Sequence, residues 1–252
     1  MPLNERSRPG EPPAHALDLP PPYRLVVLRE VGDAFAHASA HAAELGAGML
    51  VFVGRFDLAE FAVVLEPEEP LATARLAFYA GMVALTDALA ALAPPEKPIA
   101  IDWPDAIRVD GGLVGGGRLA WPRQCAESAV PDWLVFAAAI RTVSLGQEQA
   151  GLHPLSTALE AEGFADAGSV ELVESFARHF MVTLDRCREA GFAPLAGAYA
   201  AKLARDGRAL ASIEESGDLV IGRPGKPLAR KRLAEALAEP SWLDPRTGGP
   251  RL

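Results

Sequence analysis

Asp102-Trp103-Pro104-Asp105-Ala106-Ile107-Arg108-Val109-Asp110-Gly111-Gly112-Leu113-Val114-Gly115-Gly116-Gly117-Arg118-Leu119 lies near the middle of the chain, and its reading decides the topology. Ile107–Val109 is a short β-branched run. Asp110-Gly111 follows, and both residues tolerate positive φ, as a tight hairpin turn requires. The return strand is expected over Leu113–Trp121. Three successive glycines inside a strand weaken it. They are expected where a ligand or another backbone approaches closely, or where the strand carries a bulge. No Gly-Lys-Ser/Thr follows, and a hairpin rather than a helix surrounds the glycines. Neither a P-loop nor a Rossmann fingerprint is present.

Outward from this hairpin, strands and helices alternate. On the N-terminal side, Tyr23–Val31 reads as a strand. Asp33 is placed to cap an alanine-rich helix that runs to about Leu45, where Gly46 and Gly48 stop it. Met49–Val53 and Phe61–Leu65 read as neighbouring strands across a short turn. Pro70 stands at the first turn of a helix, where its missing N–H costs nothing. That helix is apolar nearly all round and is expected to be buried. Pro94, Pro95 and Pro98 close it before a strand piece at Ile99–Ile101. On the C-terminal side, Trp133–Val143 is a further strand and residues 144–154 a loop. Ser169 begins a long helix whose Val173, Phe176, Phe180, Leu184 and Cys187 form one stripe. Gly191 ends it. Pro194–Ala204 is another helix. Ala209–Glu214 and Leu219–Gly222 read as a hairpin about Ser216-Gly217, and Pro227–Leu237 as a short helix.

The 252 residues divide accordingly into a disordered, proline-rich arm over 1–22, a main α+β (α/β) domain over 23–206 and a small module over 207–252. The arm carries seven prolines, which fix φ and remove donors. Lys and Arg number 24 against 33 Asp and Glu, a formal charge of −9, so general nucleic-acid binding is not expected. Two cysteines exclude a disulfide scaffold. The longest apolar stretch, 71–92, is interrupted by Arg75 and Asp87 and reads as a core helix rather than a membrane span. With no apolar leader at the N-terminus, a cytoplasmic location is expected.

Several residues invite a chemical reading. His37 and His41, four apart on the first helix, have metal-ligand spacing, but no third ligand is evident, and a solvated helix face is the simpler account. Cys125 and Cys187 read as inert. Arg223–Arg232 carries five positive charges and no acid, compatible with an acidic partner or, more simply, with a solvated helix face.

The central segment resembles the core of the biotin and lipoate protein ligases, whose pattern is K-W-P-N-D-[LI], a short turn, then K-[LI]-[AG]-G-[IL]-L. The order of elements around it agrees over roughly residues 23–222. The resemblance implies a class II biotin/lipoate ligase-like fold: a mixed sheet packed by helices, plus a small C-terminal β module. It also implies an activity. ATP with Mg and a carboxylic acid (biotin, lipoate or octanoate) form an acyl-adenylate, and the acyl group passes to a lysine of a biotinyl or lipoyl carrier domain. Neither nucleic acid nor membrane belongs to that scheme.

Matched residue by residue, the resemblance points to Trp103, Asp105, Gly115, Gly116, Gly117 and Arg118 as substrate- or cofactor-binding residues, with Arg55 added as the one cation in the turn between the neighbouring strands Met49–Val53 and Phe61–Leu65. It also exposes departures. Asp105 replaces the usual Asn. Leu113 falls where the ligases carry a lysine, and no lysine occurs between Lys97 and Lys202. The arginine-rich loop shrinks to Gly54–Glu60, and Gly32-Asp33 stands in place of the acid-contacting S-T-N turn. Two readings follow. One is a ligase or acyltransferase in which Arg55 and Arg118 replace the lost cations. The other is a degenerate ligase fold that binds a small acid or a carrier protein. In either, Arg55, Arg118 and the glycines are expected to face one pocket.

Overall fold

The computed structural model describes residues 17–144, 155–164, 168–204 and 210–252. Seven strands form a mixed sheet in the order β1-β2-β3-β7-β6-β5-β4. Strand β1 (Arg24–Leu28) runs parallel to β2 (Met49–Val53), joined by helix α1 (Ala34–Leu45). Every other pairing in this sheet is antiparallel. As the sequence suggests, the Asp33 carboxylate caps α1 by accepting the Ala36 N–H at 2.9 Å, and Gly46 ends the helix with φ 73°. Its buried positions are Ala34, Ala38 and Ala42, so the helix lies close against the sheet.

Strand β3 (Leu58–Leu65) begins three residues before the expected Phe61, because β7 (Leu134–Arg141) pairs with it along its whole length, Leu58 with Arg141 and Leu65 with Leu134. The excursion between them holds α2 (Leu71–Ala74), α3 (Ala77–Leu92), β4 (Ile99–Asp102), β5 (Ala106–Val109) and β6 (Gly112–Ala120). Asp110 and Gly111 form the β5–β6 turn with φ 49° and 83°, as their tolerance of positive φ predicts. The single helix expected after Pro70 is split. At the break, buried Arg75 donates to the Leu71 carbonyl, pairs with Glu127 and stacks over the Trp121 ring.

The main core lies between the sheet and α3, α4 (Ser169–Ala190) and α5 (Phe192–Lys202). Phe61, Phe136, Phe176 and Phe180 stack there with centroids 4.5–5.7 Å apart. The apolar stretch Leu71–Leu92 is long and apolar enough to cross a membrane, yet most of it is buried inside this core. The other face of the sheet is covered by α1 over β2, β3 and β7.

The C-terminal strands β8 (Leu210–Ile213), β9 (Leu219–Gly222) and β10 (Ala229–Lys231) form a small antiparallel sheet. The expected helix over Pro227–Leu237 is therefore corrected to a strand followed by a short helix, α6 (Leu233–Ala236). Ala229–Lys231 pairs with Leu219–Ile221, and sheet hydrogen bonds override local helix preference. The basic run thus lies partly on an exposed edge strand, not on a helix face. This region is fastened to the rest of the molecule. Leu219, Leu233 and Leu237 are buried, the latter two in the main core, and Tyr79 Oη donates to the Gly217 carbonyl at 2.5 Å. Trp242 is wholly buried over β5 and β6, with its indole N–H donating to the Gly117 carbonyl at 3.0 Å. The boundary expected at 206 and the loop expected over 144–154 fall almost wholly outside the described residues. Of the N-terminal arm, residues 17–22 are described and are held in place. Leu17 is buried against the core, and the Asp18 N–H donates to Glu174.

Trp242→Ala is expected to cost about 3–5 kcal/mol, the usual loss for a fully buried large aromatic. Urea unfolding of the variant measures it.

Candidate functional site

The register of the sheet determines which side chains meet beneath α1. Val53, Glu60, Ala139 and Gly116 form one row across β2, β3, β7 and β6, and Val51, Ala62, Ala137 and Arg118 form the next. All eight face the α1 side. Ala137 and Ala139 are small, so the long side chains of Glu60 and Arg118 extend over a low floor between α1 and Trp242.

A charged cluster forms at the start of α1. Glu60 is 7% exposed and accepts the Ala34 N–H at 2.8 Å. The Arg118 guanidinium lies 3.9 Å from the Phe35 ring centroid and 3.3 Å from Asp33 Oδ1. Burial pushes the Glu60 carboxyl above the ordinary carboxylate range, and Asp33 adds to the effect. The Ala34 N–H, Arg118 and Arg55 pull it back. Burial lowers the Arg118 pKa against the pull of Asp33 and Glu60. A guanidinium nevertheless remains charged at any ordinary pH.

Arg55 sits in the turn between β2 and β3, clasped by Asp57 through Nε at 2.8 Å and Nη2 at 2.6 Å. The turn is pinned from behind. Ser169 Oγ donates to the Arg55 carbonyl, Thr142 Oγ1 to the Phe56 carbonyl and the Thr142 N–H to the Asp57 carbonyl. The shortened loop is thus a tight, well-held turn. Arg55 and Arg118 each favour the charged form of the Glu60 carboxyl.

The three glycines do not face that cluster together, which corrects the expected convergence. A Cβ on Gly117 would press on Met82 and Phe136, on the α3 side of the sheet. A Cβ on Gly116 would strike the Asp105 carbonyl and Trp242, on the opposite side, and one on Gly115 would strike the Ala139 carbonyl. Their absence of side chains serves packing and a bulge: the β5–β6 register shifts between Ile107 and Arg108. Trp103 and Asp105 also stand apart. The Trp103 indole donates to Tyr79 Oη at 3.0 Å. Asp105 is 1% exposed and accepts both the N–H (2.8 Å) and the hydroxyl (2.5 Å) of Ser241, so it anchors the C-terminal segment. Leu113, at the lysine position of the resemblance, is packed with Leu58, Ala106, Ala139 and Trp242.

Sequence reasoning missed Glu60, Phe35 and Trp242. Glu60 had a readable signal, since it is a lone acid inside the apolar run Leu58–Leu65. Trp242 had little, because its partners are distant in sequence. His37 and His41 stack at 4.5 Å on the exposed side of α1. An open apolar groove of about 200 Å³ lies elsewhere, between α5 and β8, lined by Phe192, Ala196, Gly197, Ala200, Ala211 and Ile213.

The architecture is that of the biotin protein ligases. The apo enzyme from Aquifex aeolicus superposes with a TM-score of 0.65 at 16% identity, covering 83% of this chain and 99% of that one. The Leishmania major enzyme in complex with biotinyl-5-AMP gives 0.52 at 15% identity, covering 84% and 99%. A biotin protein ligase-like protein of unknown function from Silicibacter sp. TM1040 is closer, with a TM-score of 0.76 at 30% identity over 88% of this chain and all of that one. The model of the biotin/lipoate A/B protein ligase family matches residues 19–201. The chain belongs to that family. No functionally curated protein matches it.

Gly116→Ala is expected to destabilise the fold by about 1–3 kcal/mol or more, because the Asp105 backbone cannot give way to a methyl group. Thermal unfolding of the variant checks this.

Proposed function

We propose that the chain binds a small carboxylic acid of the biotin, lipoate or octanoate class on Arg118, and that it has lost the family's usual adenylation step. The observation that carries this reading is the pairing of the two arginines. Arg55 is held by Asp57 through two short bonds, whereas Arg118 is held by Asp33 through one long bond from a half-exposed carboxylate. The Arg118 contact is therefore the weaker of the two, and Arg118 has capacity for one incoming carboxylate while Asp33 keeps its cap on the Ala36 N–H. Stacking on Phe35 fixes the guanidinium plane for that contact.

The same count argues against ATP. A triphosphate needs several unspent cations, because charge in the transition state is stabilised by preorganised positive groups. Here each arginine of the cluster is answered by an acid, Glu60 adds a further carboxylate, and an apolar leucine occupies the lysine position. These features support binding without standard activation. The second reading, acyl attachment to a lysine of a carrier domain with ATP and Mg as co-reactants, is favoured by the family itself and by the Aquifex aeolicus ligase in complex with biotin and ATP.

Calorimetry with biotin, lipoate and octanoate, run beside pyrophosphate exchange with ATP, separates the two. Binding of one acid without exchange is the expected result. An acyl-adenylate detected by mass spectrometry overturns the loss of adenylation. Arg118→Ala is expected to weaken binding roughly tenfold to a hundredfold, the usual cost of a lost charge-assisted hydrogen bond. Unchanged affinity in that variant removes Arg118 from the site.

A further inference from the structure

Glu60 differs from the other acids of the cluster because it has nowhere to go. Strand β3 is hydrogen-bonded on both sides, to β2 and to β7, and the Glu60 carboxylate is tied to the Ala34 N–H beneath α1. Asp33, by contrast, is half exposed, although its Oδ1 also caps α1 by accepting the Ala36 N–H. The charged groups around Glu60 are Asp33 at the cap of α1, Arg118 on β6 and Arg55 in the β2–β3 turn. Arg55 is neutralised by Asp57, and Glu30 also acts on it. His37, one turn along α1 from Asp33, is half-buried and stacked on the exposed His41.

The charge balance is therefore one guanidinium, Arg118, against two carboxylates, Asp33 and Glu60. A ligand carboxylate on Arg118 makes a third anion. Asp33 is half exposed, so water screens its part of the repulsion. Glu60 cannot move, and in a partly desolvated site two facing carboxylates share a proton rather than both remaining ionised.

We propose that Glu60 is a ligand-site residue, and that a carboxylate docks on Arg118 together with one proton, which Glu60 holds and donates as a hydrogen bond to the ligand. This rests on the acid-binding reading above. The balance is simple: the ligand anion, one proton from solvent and the Glu60 carboxylate give a carboxylic acid paired with a carboxylate, and no bond to carbon is made or broken. Burial already pushes the Glu60 carboxyl up in the free protein, in the direction that makes this uptake easy. The bound ligand raises it further. Affinity is then fully present below the free-state pKa of Glu60, and is lost as pH rises through the bound-state value.

The test is calorimetry with octanoate, biotin and lipoate from about pH 5.5 to about 8.5, above the range where the probe carboxylate itself titrates. Two buffers of different ionisation enthalpy report the protons taken up. The expected result is close to one proton per ligand and an affinity that falls by about tenfold per pH unit where linkage is complete. Glu60→Gln keeps an acceptor for the Ala34 N–H and removes the charge. It is expected to bind with no proton uptake and a flat pH profile, at or above the best wild-type affinity. Wild-type binding with no proton uptake overturns the proposal, as does a pH dependence that survives in Glu60→Gln, which would assign the proton to another group such as His37. Absence of binding by all three acids at every pH overturns the acid-binding reading along with it, so the two failures are distinguishable.

Discussion

The fold depends on a stretch of β6 that carries no side chains. At Gly117 the sheet is pressed by Met82 and Phe136 from one side, and at Gly116 by Trp242 and the Asp105 carbonyl from the other. Interiors are packed to near-crystalline density, so the room for these groups exists only because the glycines leave it. Phe136 in turn fits because Gly81 on α3 has no Cβ to meet its ring. The position of α3, the seat of Trp242 and the anchoring of Ser241 on Asp105 all follow from this thin strand. The C-terminal segment is thereby fastened to the main domain.

The chemistry of the α1 face follows from charges already answered. Acids stand opposite both arginines, and burial raises the pKa of Glu60, the most deeply held acid of the cluster. A site of this kind suits a single small anion and is poorly matched to a polyanion. The fold is shared with ligases seen in complex with biotinyl-5-AMP or with biotin and ATP, yet function resides in the site and not in the scaffold.

Much of this is legible in the sequence alone. The Asp33 cap, the Asp110-Gly111 turn, the limits of β2 and α4 and the central hairpin came from local rules that depend on neighbouring residues only. The glycines were legible as a close approach or a bulge, and both are present. What local rules could not reach was the partner across space. Ala229–Lys231 looked helical because its strand neighbour lies across an intervening loop. Glu60 looked like part of a turn because nothing nearby revealed that β7 would extend β3 over it. Trp103 and Asp105 were marked by motif, but their contacts with Tyr79 and Ser241 bind distant parts of the chain together.

The pairing of β3 with β7 has a consequence for how the molecule is made. These two central strands are separated in sequence by everything from α2 to β6. The sheet therefore cannot grow outward in chain order. β1, α1, β2 and β3 are able to gather early through nearby contacts, but β3 presents an unpaired edge until β7 arrives. Loop closure over so long an excursion must be met before its pairing energy returns, which places this protein among slower-folding topologies. During that interval the exposed edge is the apolar run Leu58–Leu65, and Glu60, the buried acid of the mature site, is the one charge on it that discourages misassociation with other chains.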